Sequence, residues 1–198
     1  MYDQLSKKER ISSMYHCTGY FSRLEELNSE NDSSLFSFLK ENSEEYKQFV
    51  SDQELPATYL EFIDVLKKWF SNGRLYQFLV YKKIGVNPVG TIFFYHLDIQ
   101  KESIKISAFF DKESRKHLLV AESLMMSIAF ARNIIGIEEI LFSVYENNKV
   151  MKKIAKKLLV IREDITHSLV NKERKVEVYK MPSSISDNIL AKLAILHR

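Results

Sequence analysis

Residues 104–122 read IKISAFFDKESRKHLLVAE, and the order of structure within this stretch decides the fold. Its first part belongs to a strand over Ser103–Phe110, rich in Ile and Phe and closed by Asp111. A charged turn, DKESRKH, follows. From Arg115 to Arg132 the chain reads as a long apolar helix, with Leu119, Leu124, Ile128 and Ala131 on one side and Gly136 as its stop. A helix start presents unpaired N–H groups and the positive end of a dipole, which together bind phosphate. No glycine stands between Gly90 and Gly136, so Lys116, Leu118 and Val120 carry full side chains at this helix start. A Cβ and the isobutyl group of Leu118 obstruct close backbone approach by a ligand.

Working upstream, YQFLVYKK and VGTIFFYHL flank the turn residues Gly85, Asn87 and Pro88 and read as a β-hairpin. Before it, Tyr59, Phe62, Ile63, Leu66, Trp69 and Phe70 recur at helical spacing after Pro56, and Asn72-Gly73 ends that helix. YFSRLEEL, within residues 15–27, reads as a first strand. Asp32 or Ser33 then caps a short helix carrying Leu35, Phe36 and Leu39, and the acidic run from Glu41 to Glu54 reads as a solvated loop. Downstream come a strand over Glu139–Val144, a helix over Asn148–Leu158, and VIRED with VEVYKM as a closing hairpin. Ser186-Asp187 caps a final helix over about residues 184–198, with Ile189, Leu193 and Leu196 as its apolar stripe. The expected fold is a single α/β (α+β) domain over residues 1–198, with a mixed, mostly antiparallel central sheet flanked by helices.

This order of elements resembles the GNAT acyltransferase superfamily, especially the branch that acetylates the N-termini of ribosomal proteins. There a strand runs into a turn written roughly A-E-I-G-Y-W-L-D-P-E-Y-R-G-K-G-Y-A-T-E-A. Ile104, Ile106, Phe109, Asp111, Glu113, Arg115 and Glu122 fall on matching or equivalent positions. A second family stretch, V-x-x-x-N-x-x-S followed by a lysine and Gly-Phe, is echoed by Val144, Asn148 and Lys157. The resemblance covers about residues 20–181. It implies acetyl-CoA or another acyl-CoA as donor, with the amides of Arg115, Lys116, His117, Leu118, Leu119 and Val120 facing the pyrophosphate. Main-chain groups around Ala108–Phe110 would meet pantetheine, an amide of Phe109 or Phe110 would stabilise the oxyanion, and Asn148 would hydrogen-bond the cofactor arm. The acceptor would be a small-molecule or peptide amine that attacks the thioester directly.

The residues that would move protons depart from that pattern. Lys105 occupies the position of the carboxylate base, and Glu102 lies three residues earlier, on the opposite strand face by period-two alternation. Ala155 stands where many members have a tyrosine acid, and Met151 where the ribosomal branch has a serine. His96, Tyr145 and Glu146 are the remaining candidates for proton handling, a contribution of roughly 10²–10⁴ in rate. Two other readings stay open. One replaces coenzyme A by the phosphopantetheine of an acyl carrier protein, met by Lys149, Lys152, Lys153, Lys156 and Lys157. The other is a catalytically silent binding domain of the same fold.

Composition narrows the classes. A hydrophobic content of 45% and a charged content of 28% are ordinary for a globular chain. A net charge of +3, without a basic face on aromatics, speaks against nucleic acid. Cys17 is the only cysteine, which excludes an intramolecular disulfide, and His16, His167 and His197 lack metal spacing, so no metal site is expected. MYDQLSKKERISS has no apolar core of a signal peptide, and no apolar run approaches the ~20 residues that cross a bilayer. The expectation is a cytoplasmic protein without a membrane partner, its last helix closing the sheet edge or forming a homodimer contact.

Overall fold

The computed structural model describes residues 16–49, 54–71, 74–98, 100–116, 118–146, 148–149, 152–153, 161–167 and 175–181. The elements are β1 (His16–Thr18), β2 (Ser22–Glu26), α1 (Asp32–Glu41), α2 (Ser43–Phe49), α3 (Tyr59–Ser71), β3 (Arg74–Lys82), β4 (Pro88–Asp98), β5 (Ser103–Phe110), α4 (Leu118–Phe130), β6 (Glu139–Tyr145), β7 (Ile161–His167) and β8 (Lys175–Lys180). A 3₁₀ turn, Ser114–Lys116, leads into α4, and a π-helical turn, Ala131–Ile135, extends it to Gly136 in the left-handed conformation. The strands form one sheet in the order β1-β2-β3-β4-β5-β6-β8-β7. Every neighbouring pair is antiparallel except β5–β6, which the α4 crossover makes parallel. The mixed sheet expected from the sequence is therefore present. The expected final helix lies outside the described residues.

Period-two alternation sends side chains to two cores. Phe78, Val80, Ile92, Phe94, Ile104, Ile106, Phe110, Phe142 and Val144 pack under Leu119, Val120, Leu124 and Ile128 of α4. On the other face, Leu79, Tyr81 and Phe109 meet Leu35, Phe38 and Leu39 of α1, Tyr46 of α2, and Phe62 and Leu66 of α3. The aromatics Phe93 and Phe94 are buried, one on each face of β4.

Three local expectations change. The single first strand divides in two, because Gly19, Tyr20 and Phe21 turn between β1 and β2. The acidic run contains a helix, α2, which buries Tyr46 against the Phe109 ring at 5.3 Å between centroids. The α1 cap is Asn31 rather than Asp32 or Ser33. In addition, α4 with its π turn spans 18 residues of mean hydropathy 1.6, long and apolar enough by composition to cross a membrane. Here it is the central core helix, apolar on all sides because it is covered on most of them.

Glu122 is the charged exception within α4. Its side chain belongs to a residue only 4% exposed. It accepts N–H bonds from Tyr20 at 2.5 Å, Phe21 at 2.9 Å and Ser22 at 2.8 Å, and a hydroxyl bond from Ser22 at 2.6 Å. One carboxylate thus satisfies the backbone of the β1–β2 turn. A Cβ on Gly19 would lie 2.4 Å from the carboxyl carbon, so only glycine lets the turn come this close. Glu122→Ala strands these donors and should cost about 3 kcal/mol in urea denaturation. Glu122→Gln, which keeps an acceptor, should lose clearly less. Equal losses for both variants would show that charge rather than acceptor geometry holds the turn.

Candidate active site

The pairing between β5 and β6 runs only from Ser103↔Glu139 to Ile106↔Phe142. Beyond that rung β5 stays bonded to β4 as far as Phe110↔Gly90, and β6 stays bonded to β8 as far as Tyr145↔Val176. The two parallel strands therefore part into a V that opens toward their C-terminal ends. α4 begins above the β5 side of this opening, after the turn at Asp111.

Backbone hydrogen bonds show which groups face the V. The Asp111 N–H donates to Val89 O at 3.0 Å and continues the β4–β5 ladder, so odd-numbered residues of β5 exchange bonds with β4. The Glu139 N–H donates to Glu102 O at 3.1 Å, in keeping with even-numbered residues facing β6. Ala108 and Phe110 are even-numbered and lie beyond the last paired rung, so their main-chain groups line the gap. The Phe110 carbonyl is taken by Arg115 Nε at 2.8 Å. The N–H of Phe110 and both polar groups of Ala108 are what β5 offers there. This corrects the expectation for Phe109, whose amide belongs to the β4 ladder. Its ring instead walls the opposite face, against Phe38 and Tyr46.

At the helix start, the Asp111 carboxylate accepts the Ser114 N–H at 2.6 Å and shapes the turn. The Ser114 hydroxyl, on a residue 1% exposed, is buried and has no partner among the described residues. Leu118 is 68% exposed, whereas Leu119 and Val120 turn into the core beneath α4. Of the bulky residues expected to obstruct the helix start, Leu118 thus borders it and Val120 leaves it. An orphaned hydroxyl, the free first-turn amides of α4 and the Ala108–Phe110 main chain together suit a phosphorylated pantetheine arm.

The Arg115 amide, expected to face the pyrophosphate, instead donates its N–H to Asp111 O at 3.3 Å. The Arg115 guanidinium pairs with Glu45 of α2 and lies 5.5 Å from the Phe109 ring centre, while Nε holds the Phe110 carbonyl. It ties β5 to α2. His117 and the side chain of Lys116 lie outside the described residues.

On the β6 side, Asn148 follows the strand at once. Its N–H donates to Tyr145 O at 2.9 Å, and its carbonyl accepts the Lys152 N–H at 3.1 Å, which places it at the first turn of the next helix. Lys152 Nζ reaches Glu177 of β8 at 2.6 Å, and the Tyr179 hydroxyl bonds the same buried carboxylate. Lys149 and Lys153 are exposed, but Lys152 is not part of a free basic face. Lys156, Lys157, Met151 and Ala155 lie outside the described residues.

Tyr145 ends β6, half-buried, on the face opposite α4 by alternation with Val144. Glu146 is exposed, and its N–H donates to Lys175 O at 3.0 Å. His96 is not brought to this site. It follows Tyr95, which pairs with Lys105, and Lys105 pairs with Leu141, four residues before Tyr145. That separation is about 13 Å along the sheet. His96 is exposed at a β-bulge with φ 53°, and partial burial with the nearby Lys105 charge holds its imidazole below the usual range. The signal missed in the sequence was alternation around the V, which singles out Ala108, Ser107 and Ser143. Cys17 is half-buried, with its sulfur 3.4 Å from Met126 Sδ, and among the described residues no group of three or more His, Cys, Asp or Glu could hold a metal.

No protein-family model matches the chain, and no curated protein matches it in sequence. Solved structures do match in shape. A GCN5-related N-acetyltransferase from Brucella melitensis superposes with a TM-score of 0.73 at 20% identity, over 91% of this chain and 86% of that one. A probable GNAT-family acetyltransferase from Chromobacterium violaceum gives 0.74 at 16% identity, over 88% and 89%. The ribosomal-protein-S5-alanine acetyltransferase of Vibrio fischeri gives 0.66 at 11% identity, over 84% and 96%. With its V between parallel strands and a helix starting at the head of that V, the chain has the fold of the GCN5-related N-acetyltransferases.

Proposed function

We propose that this protein is an N-acyltransferase that takes its acyl group from acetyl-CoA or another acyl-CoA. The observation that carries this reading is the end of β5–β6 pairing at Ile106↔Phe142, with the Ala108 and Phe110 main chain left facing the gap. When bound, the cofactor supplies an activated acyl thioester. Ala108 and Phe110 would hold the pantetheine arm as an added strand, with the Phe110 N–H placed for a developing oxyanion. The first amides of α4, Leu118 to Val120, and the Ser114 hydroxyl would hold the phosphates. Asn148 closes the other side of the opening, and Tyr145 would donate a proton from the β6 rim.

The acceptor enters from the face covered by α1 and α2. Glu41 and Glu44 are exposed there, which favours a cationic amine. A peptide N-terminus fits this charge, and the S5-alanine and L7/L12 acetyltransferases among the structural neighbours support that class. The carrier-protein alternative loses its ground, since Leu118 does not cover the helix start and Lys152 is bound to Glu177.

Coenzyme A should raise the melting temperature, and pantetheine lacking the nucleotide should do so far less. Asn148→Ala should weaken coenzyme A binding about tenfold, the worth of one buried hydrogen bond. Leu118→Gly, which removes an exposed side chain, should change it by less than about 1 kcal/mol. Calorimetry that detects no coenzyme A binding by the wild type would overturn the reading. Tyr145→Phe should lower kcat at least tenfold with KM for the acyl donor unchanged; an unchanged kcat would remove Tyr145 from the reaction.

A further inference from the structure

Ser107 of β5 and Ser143 of β6 occupy the first rung beyond the last paired one, Ile106↔Phe142. Both belong to the odd-numbered set, so their side chains stand on the α1–α3 face, from which the acceptor comes. Phe109 and Tyr145 follow them on the same two rims. Ser107 and Ser143 are half-buried, and neither hydroxyl has a hydrogen-bond partner among the described residues. Parallel strands lie about 4.8 Å apart where paired, so these hydroxyls face each other across the narrow base of the V. Half-buried hydroxyls without partners are costly unless water or a ligand meets them. The charged alternatives are missing or distant, with Lys105 in the base position and His96 at the far end of the sheet.

Resting on the acyltransfer reading above, we infer that Ser107 and Ser143 are a hydroxyl pair that relays the amine's proton across the V toward Tyr145. The Ser107 oxygen accepts a hydrogen bond from the attacking neutral amine and aims its lone pair at the thioester carbon. The C–N bond forms as the C–S bond breaks. The proton lost by nitrogen passes through the Ser107 hydroxyl and the hydroxyl or water beside it to Ser143 and on to Tyr145, which gives its own hydroxyl proton to the leaving sulfur. The products are an amide and a free thiol, with no proton gained or lost overall. A serine both accepts and donates, so each hydroxyl ends the turnover as it began.

The test uses the intact protein with acetyl-CoA as donor and hydroxylamine as a small amine. Coenzyme A binding by calorimetry is measured alongside hydroxamate formation, as kcat and KM across pH. Ser107→Ala and Ser143→Ala should bind coenzyme A within threefold of wild type yet lower kcat by about 10²-fold each, with KM for acetyl-CoA little changed. Ser107→Thr and Ser143→Thr, which keep the hydroxyl in a strand-favouring residue, should recover most of the rate. Alanine variants that react at the wild-type rate would overturn the inference. So would a wild-type protein that binds coenzyme A but forms hydroxamate no faster than solution. A wild type that does not bind coenzyme A fails the acyl-CoA reading itself, and the pair falls with it.

Discussion

The structure depends on where two parallel strands stop pairing. β5 and β6 share four rungs and then follow different neighbours, β5 remaining with β4 and β6 with β8. Sheet twist makes such a parting easy, because each strand is held on its outer side by a longer ladder. The consequence is chemical. Beyond the last rung, main-chain donors and acceptors at Ala108 and Phe110 face an opening in the middle of a core, where backbone polar groups are ordinarily paired. One of them, the Phe110 carbonyl, is met by Arg115. The others, the Phe110 N–H and both polar groups of Ala108, lie beyond the last rung shared with β6.

An opening inside a sheet needs supports on both sides, and here they are charged residues turned inward. Arg115 joins the end of β5 to Glu45 of α2. Lys152 and Tyr179 share Glu177 and fasten the helix that carries Asn148 to β8. Glu122 gathers the β1–β2 turn over the first turns of α4. Breaking a buried pair costs more than forming it gains, which makes these ties a means of fixing geometry. Without them the two rims would be joined only through four rungs and a crossover helix. Two cations at the rims, Arg115 and Lys152, are thus engaged in holding the frame.

Much of this was readable in the residues, and what was not has physical causes. β5, the β3–β4 hairpin, α3 and α4 declare themselves through local signals, namely Ile/Phe-rich runs, turn residues around Gly85, and apolar spacing from Tyr59 to Phe70. Helix α2 does not, because SEEYKQF is mostly polar and Tyr46, which anchors it, is buried against a ring 63 positions away. The break between β1 and β2 is likewise invisible, since Tyr20 and Phe21 look strand-like and the carboxylate that turns them lies 101–102 positions away. Arg115 shows its charge in the sequence but not its partner. His96 is different. A strand that pairs antiparallel with β5 ends beside the start of β5, so hairpin topology alone places that residue away from Tyr145.

The missing glycines are explained by where each side chain goes. What a phosphate meets at a helix start is the row of N–H groups along the axis, which no residue except proline lacks. Glycine matters only if a side chain would stand between that row and the ligand. Leu118 is directed to solvent, and Leu119 and Val120 are inside the core, so none of these three side chains stands across the row. The 3₁₀ turn at Ser114–Lys116 completes the separation by bringing the chain round before α4 begins. Each glycine replaced in a helix also lowers the conformational entropy lost on folding, by roughly 0.5–1 kcal/mol. A helix start built from Leu118, Leu119 and Val120 is therefore stiffer than a glycine-rich one and anchored by its own core residues. It gives up the closest backbone approach, which only glycine allows.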